Sequence, residues 1–258
     1  MTASRIEVRG LGKHYRTARG EAVTALRDFS VDIPAGSFMS VVGPSGCGKS
    51  TFLKIVAGII PKSEGSIALD AQEVAGPSDK IGVAFQSPVL LPWRTVFDNV
   101  LLPVDAQRMD RARYRDKAAE LLRLVGLRGF EDKYPFELSG GMQQRASICR
   151  ALITDPSVLL MDEPFGALDA MTREYMNVWL QELWLESRKT ILFITHSIPE
   201  AVFLGDRVVV MSSRPGTVDE LVEVDLPRPR TLQVMTSERF GAYVSQIRAR
   251  FGSEAVLG

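Results

Sequence analysis

Phe38-Met-Ser-Val-Val42, Gly43-Pro-Ser-Gly-Cys-Gly-Lys-Ser50 and Thr51-Phe-Leu-Lys-Ile-Val56 follow one another without a gap, and this stretch decides the fold. An apolar run leads into a turn that fits G-x-x-x-x-G-K-[ST], and a helical pattern leaves it. Each residue type in the turn has a physical reason. The glycines let successive backbone N–H groups point inward around phosphate oxygens. The helix N-terminus adds its partial positive charge. Lys49 can reach β- and γ-phosphates, and the Ser50 hydroxyl can ligate Mg²⁺. A glycine-rich turn with a solvated lysine is the plainer alternative, and the strand–loop–helix context weighs against it. The pattern specifies a nucleotide site and no more than that.

Outward from this loop, further apolar runs read as strands: Ile6 to Leu11, Ile81 to Phe85, Val158 to Met161, Thr190 to Thr195 and Val208 to Met211. The last four are nearly continuous, as expected of strands covered on both faces of a parallel sheet. Ile6 to Leu11 and Phe38 to Val42 have more polar character, which points them nearer an edge. Between Val96 and Leu152 the pattern turns helical, with Leu121, Leu122 and Val125 at helical spacing, so an all-helical block interrupts the α/β core. Ala170 to Ser187 is a further amphipathic helix whose Trp179, Leu183 and Trp184 read as core. After Arg214-Pro-Gly216 the spacing predicts a strand at Val218 to Val222 and a helix from Ser237 to Phe251. Leu226-Pro-Arg-Pro-Arg230 reads as an extended linker.

Val158-Leu-Leu-Met-Asp-Glu163 ends a buried-strand pattern in two carboxylates. Ligands of a parallel sheet sit beyond the carboxyl ends of its strands. Asp162 would therefore hold Mg²⁺ through water, and Glu163 could orient or deprotonate an attacking water. His196 follows the next strand and lands at the same edge, where it can donate to a γ-phosphate. A lone histidine at a strand end is more often structural, but the register with the other two sites reverses that. Leu138-Ser-Gly-Gly-Met-Gln-Gln-Arg145 offers an N-cap at Ser139 and free backbone donors at Gly140 and Gly141, a second anion site or simply a capped helix start.

Length and composition agree. The 258 residues carry 31 Lys+Arg against 31 Asp+Glu, with 45% hydrophobic and 24% charged. Zero formal charge argues against a general nucleic-acid binder. No run approaches the roughly 20 apolar residues of a spanning helix, and MTASRIEVRG lacks the apolar segment of a signal peptide. Cys47 and Cys149 make no disulfide framework and fit a reducing compartment.

Taken together the motifs closely resemble those of ATP-binding-cassette ATPases along nearly the whole chain. Gly43, Pro44, Ser45, Gly46, Cys47, Gly48, Lys49, Ser50 and Thr51 are similar to the Walker A motif, and Val158 to Glu163 to Walker B. Ser139, Gly140, Gly141 and Gln143 belong to a segment like the family signature. Met142 departs from it, where many members carry Gln. Gln86 looks like the Q-loop glutamine, a further Mg²⁺ or water contact, Asp169 like the D-loop aspartate and His196 like the switch histidine. Tyr15 stands where the family has an aromatic on adenine, although an aromatic on an early strand is often core.

The resemblance implies a P-loop NTPase (RecA-like) α/β core at 1–90 and 155–215, with a small antiparallel N-terminal β region. It implies a helical signature subdomain at 91–154 and a short C-terminal extension at 216–258. ATP and Mg²⁺ are the implied ligands. The implied assembly is a head-to-tail homodimer in which Ser139, Gly140, Gly141 and Gln143 complete the partner's ATP site. The wording of LLPWRTVFDNV, EPFGALDAMTRE and SSRPGTV is similar to importer ATPases of the nitrate, sulfonate and taurine group. Those pair with separate membrane permease subunits and a solute-binding protein, on the cytoplasmic face of the membrane. Gln86 to Asn99, with Leu90, Leu91, Trp93 and Phe97, is the expected permease-docking loop, unless those residues pack under the helical block. A cassette ATPase working with soluble partners and a purely regulatory nucleotide-binding module are the competing readings. Repair-type members carry long coiled-coil or zinc-bearing insertions, absent here, and a non-hydrolysing module needs neither Glu163 nor His196.

Overall fold

Strands β3 (Phe38–Val42), β7 (Val158–Asp162) and β8 (Thr190–Ile194) are buried at every residue, because both faces of their sheet are covered. The computed structural model describes residues 3–16 and 20–251. With β6 (Ile81–Ala84), β9 (Arg207–Met211) and β10 (Val218–Glu223) these strands form one sheet in the order β10-β9-β3-β8-β7-β6. All its pairings are parallel except β10 on β9. Alternate residues serve opposite faces. Phe38, Val42, Leu159, Met161, Ile191 and Phe193 enter one core with the helices. Met39, Val41, Val158, Leu160, Leu192 and Ile194 enter the other, shared with helix α1 (Lys49–Val56) and a second sheet.

That second sheet is antiparallel and four-stranded, in the order β2-β1-β4-β5, from β1 (Ile6–Arg16), β2 (Ala22–Ile33), β4 (Glu64–Leu69) and β5 (Gln72–Glu73). Between β6 and β7 the described residues hold only helical elements. The α-helices are α2 (Val96–Val100), α3 (Leu102–Ala106), α4 (Arg115–Leu124) and α5 (Gly140–Leu152). Helix α6 (Ala170–Ser187) spans the expected range, with Trp179 and Trp184 buried, and α7 (Ile198–Leu204) follows β8. Strand β10 and helix α8 (Glu238–Arg250), capped by Ser237, fall where the tail predicts them. No helix of the described residues is long and apolar enough to cross a membrane.

Two expectations need correction. Neither β1 nor β3 is an edge strand. β1 lies between β2 and β4, and β3 lies between β9 and β8, at the centre of the parallel sheet. The 226–230 segment is no passive linker either. Arg230 is buried, and its Nη1 donates to the carbonyls of Val202, Phe203 and Gly205 at 2.8, 3.0 and 2.8 Å. Those are the orphan acceptors at the end of α7, which cations satisfy well. Arg228 binds Asp206 and the Leu204 carbonyl and lies over the Trp184 ring. Burial pushes the Arg230 guanidinium down to about 10.

Candidate functional site

The phosphate-binding loop is built by close packing. A Cβ on Gly43 would stand 2.9 Å from Cys47 Sγ and from Met211 Cβ. Gly48, at φ +111°, would bring a Cβ to 2.9 Å from the Ala25 carbonyl, so glycine is required on both counts. Buried Lys49 lies back along the loop, its Nζ donating to the carbonyls of Gly43 and Pro44 at 2.7 and 3.1 Å. Cys47 is buried in the loop and burial raises its thiol pKa, which favours a packing role over a redox one.

Across the sheet edge, Ser50 Oγ donates to Asp162 Oδ1 at 3.1 Å. Burial holds the Asp162 carboxyl above its ordinary range. A desolvated carboxylate beside a hydroxyl, facing the phosphate loop, is a donor set suited to a Mg²⁺ that takes its other ligands from phosphate and water. Glu163, next along the chain, sits at φ +46°, a strained conformation for a glutamate, and its N–H donates to the Ile194 carbonyl at 2.9 Å. Glu163 Oε2 accepts from Gln86 Nε2 at 3.0 Å and lies 3.3 Å from His196 Nδ1. Three residues from separate segments, at the ends of β6, β7 and β8, thus share one carboxylate. The cluster can position and deprotonate a water aimed at a terminal phosphate.

An open cleft of about 360 Å³ is lined by Ser45, Gly46, Gly48, Lys49, Ser50 and Thr51 together with Tyr15, Val23, Ala25, Gln86, Glu163 and Arg214. Tyr15, which lines the cleft, is 41% exposed; its hydroxyl lies 3.4 Å from Thr51 Oγ1 and Lys13 Nζ stands over its ring at 5.1 Å from the centroid. None of the cleft-lining residues comes from 139–143. Ser139 caps α5, accepting from the Met142 N–H at 3.3 Å, and Gly140 and Gly141 begin that helix. Gln143 turns its amide inward to the carbonyls of Pro135 and Leu138, at 2.9 and 3.2 Å. Asp169 caps α6 through Thr172, and those hydrogen bonds hold its carboxyl below the usual range.

The loop after Gln86 divides. Trp93 is 71% exposed and Val89 is exposed, while Leu90 and Phe97 pack in part against the core. Asn99, fully buried, shapes the loop with its amide: it accepts from the Leu91 N–H and donates to Leu91, Arg94 and Thr95 carbonyls. The backbone of Val96 and Phe97 bonds to Lys133 and Glu131, which brings a second aromatic group alongside. There Phe136 is 77% exposed and stacks on Tyr134 at 5.6 Å. No motif marks that pair in the sequence. Nor does any motif mark Arg214, in the Arg-Pro-Gly turn after β9. Its Nε donates to the Gly46 carbonyl at 3.1 Å.

Gly216 in that turn presses on the phosphate loop, since a Cβ there would lie 2.1 Å from the Cys47 carbonyl oxygen. Gly216→Ala is expected to cost about 1–3 kcal/mol by overpacking and to weaken ATP binding. Thermal unfolding with and without ATP tests this: unchanged stability and an unchanged ATP-induced shift would refute it.

A family model described as ABC transporter matches residues 26–166, more than half of the chain. The chain belongs to the ABC transporter family. It is an ATPase chain of that family, similar to an uncharacterized ABC transporter ATP-binding protein of Methanocaldococcus jannaschii, 47% identical over 82% of this chain and 79% of the relative. A taurine import ATP-binding protein of Rhizobium johnstonii is 51% identical over 81% of this chain and 80% of its own length. An aliphatic sulfonates import ATP-binding protein of Bacillus cereus is 42% identical over 95% of each. Among solved structures, a dimeric post-hydrolysis ATP-binding cassette bound to ADP and phosphate superposes with a TM-score of 0.78. It is 32% identical and covers 86% of this chain and 100% of that one.

Proposed function

We propose that this chain hydrolyses ATP to drive import of a small anionic or zwitterionic solute of the nitrate, sulfonate or taurine type. It does so as a homodimer that sandwiches two ATP, docked on separate membrane permease subunits at the cytoplasmic face of the inner membrane. A solute-binding protein delivers the cargo to those subunits. The observation that carries the reading is that Ser50, Gln86 and Glu163 line one cleft, with Asp162 bonded to Ser50 and His196 beside Glu163, while the signature segment of the same chain does not enter it. Half of the terminal phosphate's surroundings is then left for a partner to supply. The names of the sulfonate and taurine relatives support the solute class.

In this reading the loop from Gly43 to Thr51 grips the phosphates and Tyr15 stacks on adenine. Ser50 and Gln86, with Asp162 through water, would hold Mg²⁺, which would supply positive charge to the transferred phosphoryl group. Glu163 takes the proton of the attacking water, and His196 donates to the γ-phosphate. Ser139, Gly140 and Gly141 of one copy supply donors to the ATP of the other, and Asp169 lies at the subunit contact. Residues 1–90 and 155–215 act as the core and 91–154 as the block that carries the signature.

Co-purification of the tagged chain from its own membranes in mild detergent, followed by mass spectrometry, tests the transporter assignment. A stoichiometric polytopic membrane protein is expected. Soluble partners alone would move the assignment to a cassette ATPase acting without transport. The exposure of Val89, Trp93, Tyr134 and Phe136, on two segments joined by the Val96–Lys133 and Phe97–Glu131 backbone bonds, supports docking there. Leu91→Asp with Trp93→Ala is expected to lower solute uptake several-fold while basal ATP hydrolysis stays within about twofold, since neither side chain enters the cleft. Uptake that remains coupled in that variant would exclude this loop as the contact.

A further inference from the structure

Helix α7 hides a carboxylate that the hydrolytic mechanism does not use. Glu200 is 7% exposed, and a leucine there would bury without the several kcal/mol that desolvating a charge costs. Its two oxygens face different parts of the site. Oε2 accepts from Thr195 Oγ1 at 2.6 Å, and Thr195, itself buried, is the residue before His196. The same Thr195 hydroxyl accepts from the Ser197 N–H at 3.0 Å, so the backbone on both sides of His196 is tied to one oxygen. Glu200 Oε1 lies 3.6 Å from Arg173 Nε on α6. Arg173 in turn donates to the carbonyls of Phe165 and Leu168, at 3.4 and 2.9 Å, on the loop that ends in Asp169.

The His196 side chain is 62% exposed, so packing does not fix its direction. Besides its 3.3 Å contact with Glu163, its direction depends on the backbone at 195–197, which is held by the Thr195 N–H on the Val41 carbonyl, by the Ser197 cap of α7 and, through the Thr195 hydroxyl, by Glu200. We infer that Glu200 is a positioning residue: it sets His196 against Glu163 and, through Arg173, makes that setting depend on the loop that carries Asp169. A partner subunit pressing on Asp169 would thereby shift His196 without touching it. Burial raises the Glu200 pKa, an electrostatic strain that the Thr195 hydrogen bond and Arg173 offset.

This rests on the reading of His196 as a contact to the γ-phosphate, and the test separates the two. Glu200→Leu is the informative variant: removing one partner of an ion pair is destabilising when the remaining charge stays buried, and here it does not. Arg173, a third exposed, can then turn to water. The full-length chain is assayed for ATP turnover, ATP affinity and thermal unfolding, alone and combined with His196→Ala. The expected result is turnover lowered on the order of 10- to 100-fold, the penalty of a misplaced group, with ATP affinity and unfolding temperature held. Glu200→Gln, which keeps an acceptor for Thr195, recovers most of the rate. Glu200→Leu adds nothing to His196→Ala, since both act through one group. If His196→Ala is slow and Glu200→Leu slows it again by its full factor, the positioning role is wrong and the histidine reading stands. If His196→Ala turns over like the unaltered chain, the histidine reading fails and takes this inference with it. Loss of ATP affinity and stability in proportion to turnover would make Glu200 merely structural.

Discussion

Glu163→Gln is expected to bind ATP and fail to hydrolyse it. The amide matches the carboxylate in shape, so the backbone at φ +46° and the hydrogen bond to Ile194 are undisturbed. An amide oxygen can still accept from Gln86 or His196, the two neighbours of Glu163 Oε2. What disappears is the ability to take a proton, typically worth about 10²- to 10⁴-fold in rate. ATP affinity should persist, because the contacts that build the phosphate loop run through Lys49, the glycines and Ser50. The bound, uncleaved nucleotide should then hold two copies together, visible as an ATP-dependent dimer in size-exclusion chromatography. Equilibrium binding and single-turnover hydrolysis with the same preparation decide it. Brisk turnover would remove Glu163 as the base and leave Gln86 and His196 to be tested in its place.

The site was legible where chemistry and spacing are local. Glycines, a lysine and a hydroxyl in eight consecutive residues need no tertiary information, and neither do two carboxylates at the end of an apolar strand. Helix α6 was legible to its last residue because Trp179 and Leu183 repeat at helical spacing, with Trp184 beside them. Strand order was not legible. Ser40 lends β3 a polar look, yet the crossovers, which no local pattern encodes, seat it in the middle of the sheet. The arginines of Leu226-Pro-Arg-Pro-Arg230 read as linker charge, since their acceptors lie at the end of α7, more than twenty residues away. In the loop after Gln86 no periodicity tells which apolar side chains turn outward. Only the buried Asn99 amide, folded back on the loop, separates Trp93 from Leu90 and Phe97. Glu200 was invisible for the same reason, as a carboxylate on a short helix reads as solvated until Thr195 and Arg173 are seen beside it.

Ser139→Asp is expected to fold normally and lose turnover, and mixing should bring the turnover back. Aspartate caps a helix as well as serine does, so α5 keeps its start and the chain its stability. If capping were the whole role of Ser139, this variant would hydrolyse ATP like the unaltered chain. If Ser139 instead faces the γ-phosphate of a partner, a carboxylate there repels the anion it should embrace, and hydrolysis collapses. The Glu163→Gln chain, also inactive, carries an intact signature. In a mixed dimer the Ser139→Asp chain contributes a working phosphate loop and Glu163, while its partner contributes Ser139, so one composite site is whole. With random pairing half the dimers are mixed, and each has one of its two sites restored, giving about a quarter of the unaltered rate. Two inactive preparations that gain activity on mixing can do so only if the sites are shared across the interface. If the mixture stays as dead as its components while both variants still dimerise, each chain completes its own site and the head-to-tail assembly is wrong.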